Sequence, residues 1–373
     1  MTSRELVKNI IERDRKTFFK DFSRRSVPND IVDNDTILVA DFTEYSPLHN
    51  GHFHCMKTAK YQVPDSIFVA IVPGLFERSG RGLPYILPRE IRAEIAISAG
   101  ADIVVEGPPM GIMGSGQYSL CLSKMFQALN TDYIPRGYKE VDGYDEILKR
   151  ISQGHGIAPK PYKIVDMDTG EIIMRNKLEE DNHVIVSFSK SLKKIGFDFK
   201  DKFIFVKRIE GVSGTLIRES IANNNFDKVT DMMPQQTIEI LKREINLGRC
   251  PLHELRDDER ILNNANNLSF EELSNLNLFN EDLAKKFIEA REFKTVEDVK
   301  NTISHGFSTH FITRVLSVLE ANVSKETVSE YITNYPSVVR VLGYKNKEIL
   351  NKFSKKIAIN FELFKNKLKI MKN

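Results

Sequence analysis

Between Thr36 and Ala222 the chain alternates short β-rich runs with helix-forming stretches: Ile37 to Phe42, Ser66 to Val72, Asp102 to Glu106, a weak run at Tyr133 and Ile134, and Phe203 to Lys207. Strands separated by helix-length connections pair in parallel, since each connection must cross back over the sheet. The predicted fold class is therefore α/β, with a Rossmann-like parallel sheet wrapped by helices on both faces. Ligands of such sheets lie beyond the carboxyl ends of the strands.

His49, Asn50, Gly51 and His52 stand just behind the first of these runs. Pro47 breaks strand pairing and Gly51 has no side chain, so a phosphate can approach the backbone where a helix from about Gly51 to Tyr61 begins. Free N–H groups and the positive end of the helix dipole then face that phosphate. Two imidazoles three residues apart can donate hydrogen bonds to an α-phosphate as charge builds on it during displacement of pyrophosphate. That is nucleotidyl transfer chemistry. Standing alone, an HxGH reads equally well as a turn carrying two solvated histidines.

A second phosphate element stands late in the same region. Gly211 to Ile221 (GVSGTLIRESI) follows Phe203–Lys207 with the spacing of a strand, loop and helix. Ser213 and Thr215 can cap the new helix and bond phosphate oxygens, Gly214 allows close approach, and Arg218 can neutralise a β- or γ-phosphate. Any capped amphipathic helix looks similar by itself. Taken with the upstream motif, the pair predicts one triphosphate site whose catalytic candidates are His49, His52, Ser213, Thr215 and Arg218. ATP brings Mg²⁺, which bridges triphosphate oxygens, and Glu44 and Asp41 are the nearest carboxylates. Strand-end acids are also commonly satisfied by backbone N–H groups.

The first thirty-odd residues read as a helix with Ile10, Ile11, Phe18, Phe19 and Phe22 apolar, ending before Pro28. After Met233 and Pro234 the β-rich runs stop and helical periods take over, among them Gln236 to Asn246, Glu281 to Ala290 and Thr309 to Glu320. The expected organisation is an N-terminal helical extension (1–34), a nucleotidyltransferase, ATP-binding domain (35–230) and an all-helical C-terminal domain (231–373) with an RNA-binding role. Lysines crowd the stretch from Lys345 to Lys372 with almost no acids. Such a stretch suits an RNA backbone, and equally a solvated helix face.

No apolar run approaches the length needed to cross a membrane. The first 25 residues lack the apolar stretch of a signal peptide and carry acids that a transit peptide avoids, so a cytoplasmic location is expected. Cys55, Cys121 and Cys250 are far apart with no CxxC, which reads as reduced packing residues. His155, His183, His253, His305 and His310 are scattered with no metal-ligand spacing. Arg78, Arg81, Arg89 and Arg92 cluster around a long glycine- and proline-rich loop, Gly74 to Pro88, which is a candidate lid or RNA contact, or a solvated loop. Arg92 is expected to reach phosphate, or to pair with Glu90 or Glu94.

These residues resemble the bacterial tRNA(Met) cytidine acetate ligases, a branch of the HIGH-motif nucleotidyltransferase superfamily. The likeness runs from about Ile37 to Lys352. From Ala40, AxxTEYSPLHNGHFHC is similar to the family's AEYNPFHNGH, with Ser46 and Leu48 in place of asparagine and phenylalanine. VPGLFERSGRGLPYILPREIRAEIAISAGADIVVEGP is similar to SGxFxQRGEPxxxxKxxRxxxAxxxGxDxVxELP. Near the end, STHFITRVLSVLEANV stands where the family has SRIRRxLxHxLL, and YPSVVRVLGYKNKEILNKF resembles YxRVLGxNxxGxxxL. The resemblance implies ATP contacts at Gly137, Asn182 and Arg208, and extends the nucleotide site around the first motif to Glu44, Tyr45, Pro47, Asn50 and Gly51.

It also implies adenylation of a small, acetate-like carboxylate, followed by acyl transfer to the wobble cytidine of elongator tRNA(Met). The partners implied are tRNA and a small carboxylic acid, and the cofactors ATP and Mg²⁺. This chain departs from the pattern in its N-terminal extension, its lack of tryptophan, its LPREIRAE, and a SRIRR segment reduced to Arg314. Two other readings remain: an adenylyltransferase acting on a phosphorylated cofactor precursor, and a non-catalytic RNA-binding protein that keeps the fold.

Overall fold

The structure is a computed structural model that describes residues 3–29, 32–33, 35–175, 178–304 and 306–364. In chain order its first half runs α1 (Ser3–Asp21), β1 (Leu38–Phe42), α2 (Asn50–Gln62), β2 (Ile67–Pro73), α3 (Arg89–Ala99), β3 (Ile103–Gly107), α4 (Ser115–Ala128), β4 (Ile134–Tyr138) and α5 (Tyr144–Ser152). A small antiparallel sheet follows, β5 (Ile157–Lys160), β6 (Lys163–Asp166) and β7 (Ile172–Met174), then α6 (Glu180–Lys194), β8 (Phe203–Lys207) and α7 (Gly214–Ala222).

The expected strands are all present and parallel: β1 pairs with β2, β2 with β3, and β4 with β8. Main-chain bonds between Tyr133 and the Leu38–Ala40 stretch join β4 to β1. The spatial order is thus β8-β4-β1-β2-β3, and the chain's direction of travel across the sheet reverses between β1 and β4. That reversal opens a crevice at the carboxyl ends of β1 and β4.

Alternation along each strand sorts the apolar residues to two faces. Leu38, Ala40, Val69, Ile71, Ile103 and Val105 join one cluster with α1, α4, α6 and the C-terminal helices. Val39, Phe68, Ala70, Val72 and Val104 join another with α2, α3 and α7.

Beyond Pro234 the chain is mostly helical: α8 (Gln235–Asn246), α9 (Asp258–Asn267), α10 (Phe270–Asn275), α11 (Glu281–Glu289), α12 (Val296–Ser304), α13 (Thr309–Ala321) and α14 (Lys325–Asn334). One expectation changes here, because strands do not stop at Pro234. β9 (Val339–Tyr344) adds antiparallel to β3, α15 (Lys347–Lys356) follows, and β10 (Phe361–Leu363) adds parallel to β9. VVRVLGY alternates and is β-branched, and the open edge of β3 gave it a partner.

The N-terminal segment is not an appendage. Leu6, Val7, Ile10, Ile11 and Phe18 of α1 are buried in the same cluster as the sheet, and its buried Asp14 grips Arg89 through two bonds of 2.8 and 2.7 Å. The three cysteines are free and buried, and no described helix is long and apolar enough to cross a membrane.

Candidate functional site

The crevice is a cleft of about 950 Å³ lined from both phosphate motifs. After β1 the chain turns through Tyr45 at a left-handed φ of 43°, and His49 caps α2, its Nδ1 accepting from the Gly51 N–H at 3.2 Å. Accepting at Nδ1 leaves the proton on Nε2, which is free to donate into the cleft. His52 lies one turn into α2 and stacks on His49, ring centroids 3.8 Å apart. Tyr45 packs edge-on against His52 and holds it from behind.

Ser213 caps α7 by accepting from the Leu216 N–H, and Arg218 one turn later donates to Thr215 Oγ1 at 3.1 Å. The two motifs meet. A Cβ added to Gly214 would stand 3.4 Å from His49 Nε2 and 3.3 Å from Arg218 Nη1. Arg218 also reaches back to the Ser46 carbonyl, across 172 residues of sequence.

The electrostatics follow from that crowding. Burial pushes His49 down to about 4, helped by the cations of Arg208 and Arg218, and burial with His49 beside it holds His52 well below the usual histidine range. Both rings are therefore neutral donors at physiological pH. Asp41 is raised to about 6 by burial, against the pull of Arg136.

A stability prediction follows. In the unfolded chain His49 takes up its proton near 6.5, whereas the folded site resists it down to about 4. Its contribution to stability is therefore complete above about pH 6.5 and lost as pH falls towards 4. Chemical denaturation across pH 4–8 should show that decline, and His49→Gln should flatten part of it; an identical profile for the variant would contradict the burial argument.

Of the expected nucleotide residues, Glu44, Pro47 and Arg208 line the cleft beside His49, His52, Ser213, Thr215 and Arg218. Arg208 pairs there with Asp181. Tyr45, Asn50, Gly51, Gly137 and Asn182 are not among the residues that line the cleft; Tyr45 and Asn182 are buried, and Asn50, Gly51 and Gly137 are half-buried. Asn50 donates to the Asp231 carbonyl, and buried Asn182 commits its amide oxygen and nitrogen to the Lys139 backbone. Gly137 sits within β4, paired with Val206 of β8.

The Gly74–Pro88 loop is neither lid nor solvated loop. Arg89 and Arg92 are 0 % exposed and meet at Glu77, while Arg78 pairs with Glu320 of α13 at 2.6 Å. Left-handed Phe76 and Glu77 turn that carboxylate inward. Arg92 is wholly buried on Glu77 and pairs with neither Glu90 nor Glu94: Arg13 binds Glu90 and Arg243 binds Glu94. Only Arg81 of the four cations lines the cleft.

Several lining residues carry no local sequence signal, Arg136, Tyr118, His253 and His310, and Arg314 joins them from the segment that stands where the family has SRIRR. Arg136 ties β4 to β1 through Asp41 and the Phe42 carbonyl. Arg314 of α13 donates to the His310 and Met113 carbonyls and meets no carboxylate among the described residues.

The cleft carboxylates do not form a magnesium cage. Glu44 accepts from the Gly80 N–H, Asp41 holds Arg136, Asp181 holds Arg208, and Glu179 stands by Lys139. Elsewhere the fold gathers His155, Asp166 and Asp168. Arg150 and Lys193 already supply cations to that cluster. His305 lies outside the described residues.

Residues 38–138 match the family model described as HIGH Nucleotidyl Transferase, and residues 139–343 that described as Cytidyltransferase-related C-terminal region. The chain is 46% identical to an uncharacterized protein of Methanocaldococcus jannaschii over 91% of this chain and 94% of that protein. It is 28% identical to the tRNA(Met) cytidine acetate ligase of Thermotoga maritima over 86% of each. The crystal structure of Thermotoga maritima TmcAL bound with alpha-thio ATP superposes with a TM-score of 0.69 at 23% identity, covering 89% of this chain and 86% of that one. That likeness establishes a common fold.

Proposed function

Since this chain belongs to the HIGH nucleotidyl transferase family and is related over most of its length to the tRNA(Met) cytidine acetate ligases, we propose that it is an ATP-dependent ligase that adenylates a small carboxylate and acylates a tRNA base. One observation carries the reading: a Cβ built on Gly214 would touch His49 Nε2 at 3.4 Å, so only a narrow gap parts the imidazole donors from the α7 phosphate loop and both can face one bound triphosphate. A carboxylate oxygen attacks the α-phosphorus and pyrophosphate leaves. His49 and His52 donate hydrogen bonds to the α-phosphate oxygens as charge builds, while Ser213, Thr215 and Arg218 hold the departing phosphates. Magnesium would enter with the nucleotide and would supply charge neutralisation on its phosphates, with Glu44 the expected nearby carboxylate that lines the cleft.

In the second step the exocyclic amine of a cytidine attacks the acyl carbonyl. A C–N bond forms, the bond to AMP breaks, and the amine gives up a proton. Arg314, a cation without a carboxylate partner on the cleft wall, suits the small acid. The relatives are named for a cytidine of tRNA(Met), and we extend to this chain the wobble cytidine that the resemblance implies. The C-terminal helices supply His310 and Arg314 to the cleft, an addition that transfer of AMP to a phosphorylated cofactor precursor does not require.

Gly214 supplies a prediction. Its replacement by Ala puts a methyl between His49 and Arg218, so KM for ATP in pyrophosphate exchange should rise about tenfold or more, a loss of roughly 1.4 kcal/mol. An unaltered KM would remove this gap from the phosphate path. The overall reading is tested by incubating the protein with ATP and a panel of small carboxylic acids, then with total tRNA, and analysing nucleosides by mass spectrometry. An acylated cytidine dependent on ATP and one acid is expected. Transfer of AMP to a cofactor precursor, with no modified nucleoside, would overturn it.

A further inference from the structure

The cleft continues away from the triphosphate end along α6. His183, Ser187, Lys190, Ser191 and Lys194 line it, and their spacing of three and four puts them on one face of the helix. The stripe is about 16 Å long at 1.5 Å per residue. Beside α6 packs β5, whose hairpin to β6 turns at Pro161 and Tyr162 between the paired residues Lys160 and Lys163. Tyr162 is 91 % exposed, at the tip of a two-residue turn.

Cations predominate on this face. Among the described residues Lys160, Lys163, Lys190 and Lys194 have no carboxylate at ion-pair distance, whereas Lys193, three residues from Lys190, is neutralised by Asp168. Lys190 is held below the usual lysine range by burial and by its neighbours Lys194 and Lys160. The hairpin tip and the helix thus present their cations to the same space. Of the acids at the start of α6, Asp181 pairs with Arg208 and Glu179 with Lys139.

The described part of the lysine-rich C-terminal stretch lies elsewhere. Lys345 pairs with Asp102 and Lys356 with Asp132, residues that precede β3 and β4 at the amino ends of the strands, opposite the cleft. Lys352 pairs with Glu348. Residues 365–373 are outside the described residues.

We propose that the α6 stripe and the β5–β6 hairpin tip form the track for the RNA strand whose base enters the cleft. Lys160, Lys163, Lys190 and Lys194 take its phosphates, and the Tyr162 ring offers a stacking face to an unpaired base. This rests on the reading of the cleft as an RNA-acylating site and assigns the surface that delivers the acceptor. A row of unpaired cations interleaved with one exposed aromatic, continuous with a nucleotide cleft, fits a single-stranded polyanion carrying bases.

The test measures total tRNA binding to the full chain by fluorescence anisotropy over a salt series. Lys190→Ala/Lys194→Ala should weaken binding about tenfold or more at low salt and flatten the log K against log salt slope by roughly 1.5, from two lost phosphate contacts. Tyr162→Ala should weaken binding about tenfold with no change of slope. Unchanged affinity and slope in these variants, with binding abolished by removing residues 365–373, would overturn the proposal in favour of the tail. So would equal losses for an unstructured polyanion such as heparin in Tyr162→Ala, since stacking requires bases. Circular dichroism melting of each variant checks the fold. Pyrophosphate exchange by the parent protein needs no RNA, so failure there would sink the adenylation reading while leaving this surface standing.

Discussion

His52→Ala should slow ATP/pyrophosphate exchange by about a hundredfold or more, a loss of roughly 3 kcal/mol of transition-state stabilisation. The ring sits on His49 at 3.8 Å and is braced by Tyr45. Its pKa is depressed by burial and by the neighbouring His49 and cations. It therefore serves as a neutral donor whose position is fixed before the nucleotide arrives, and such donors act where charge develops rather than on the ground state. The loss should appear in the rate at saturating ATP, with a small change in KM. His52→Gln, which keeps an N–H donor, should recover part of it. A variant exchanging at the parent rate would remove the imidazoles from the chemistry.

Arg89→Met should destabilise the fold by about 3–5 kcal/mol in denaturant unfolding. The guanidinium is fully buried and is shared by Asp14 of α1, Glu77 of the loop and Glu106 of β3, at 2.7–2.9 Å. Gly74 leaves it room, since a Cβ there would stand 2.5 Å from the Arg89 chain. Removing this cation leaves three carboxylates in an apolar surround with too few counter-charges. Their folded-state pKa values would rise, so the variant should recover stability as pH falls and the carboxyls protonate, opposite in sign to the trend set by His49. A loss below about 1 kcal/mol would mean that water reaches the network. The same geometry makes deletion of α1 destructive to the fold, because Asp14 and Asp21 anchor Arg89 and Arg340 across the sheet.

The strands and the two phosphate motifs were legible because their signals are local. Short β-rich runs mark β1, β2, β3 and β8, and the HxGH and SGT loops announce themselves within a few residues. Their convergence was inferable only from the rule that parallel sheets bind ligands at strand carboxyl ends, and the proximity of His49 to Gly214 agrees with it. The arginines of the Gly74–Pro88 loop were misread because a sequence displays cations without their partners. Asp14 and Glu320 lie 75 and 242 residues away from Arg89 and Arg78. β9 was lost among helices, although VVRVLGY alternates, because its partner is antiparallel and far upstream. The resemblance singles out Arg314, whereas the arrival of His310 beside it in the cleft depends on tertiary packing of α13, which no spacing reveals.

The account stands on a shared triphosphate between two loops, and a crystal structure of this protein with a non-hydrolysable ATP analogue tests it directly. The α-phosphate should lie within hydrogen-bond distance of His49 Nε2, with the terminal phosphates against Ser213, Thr215 and Arg218. An analogue whose phosphates lie outside that gap, touching one loop and not the other, would contradict it.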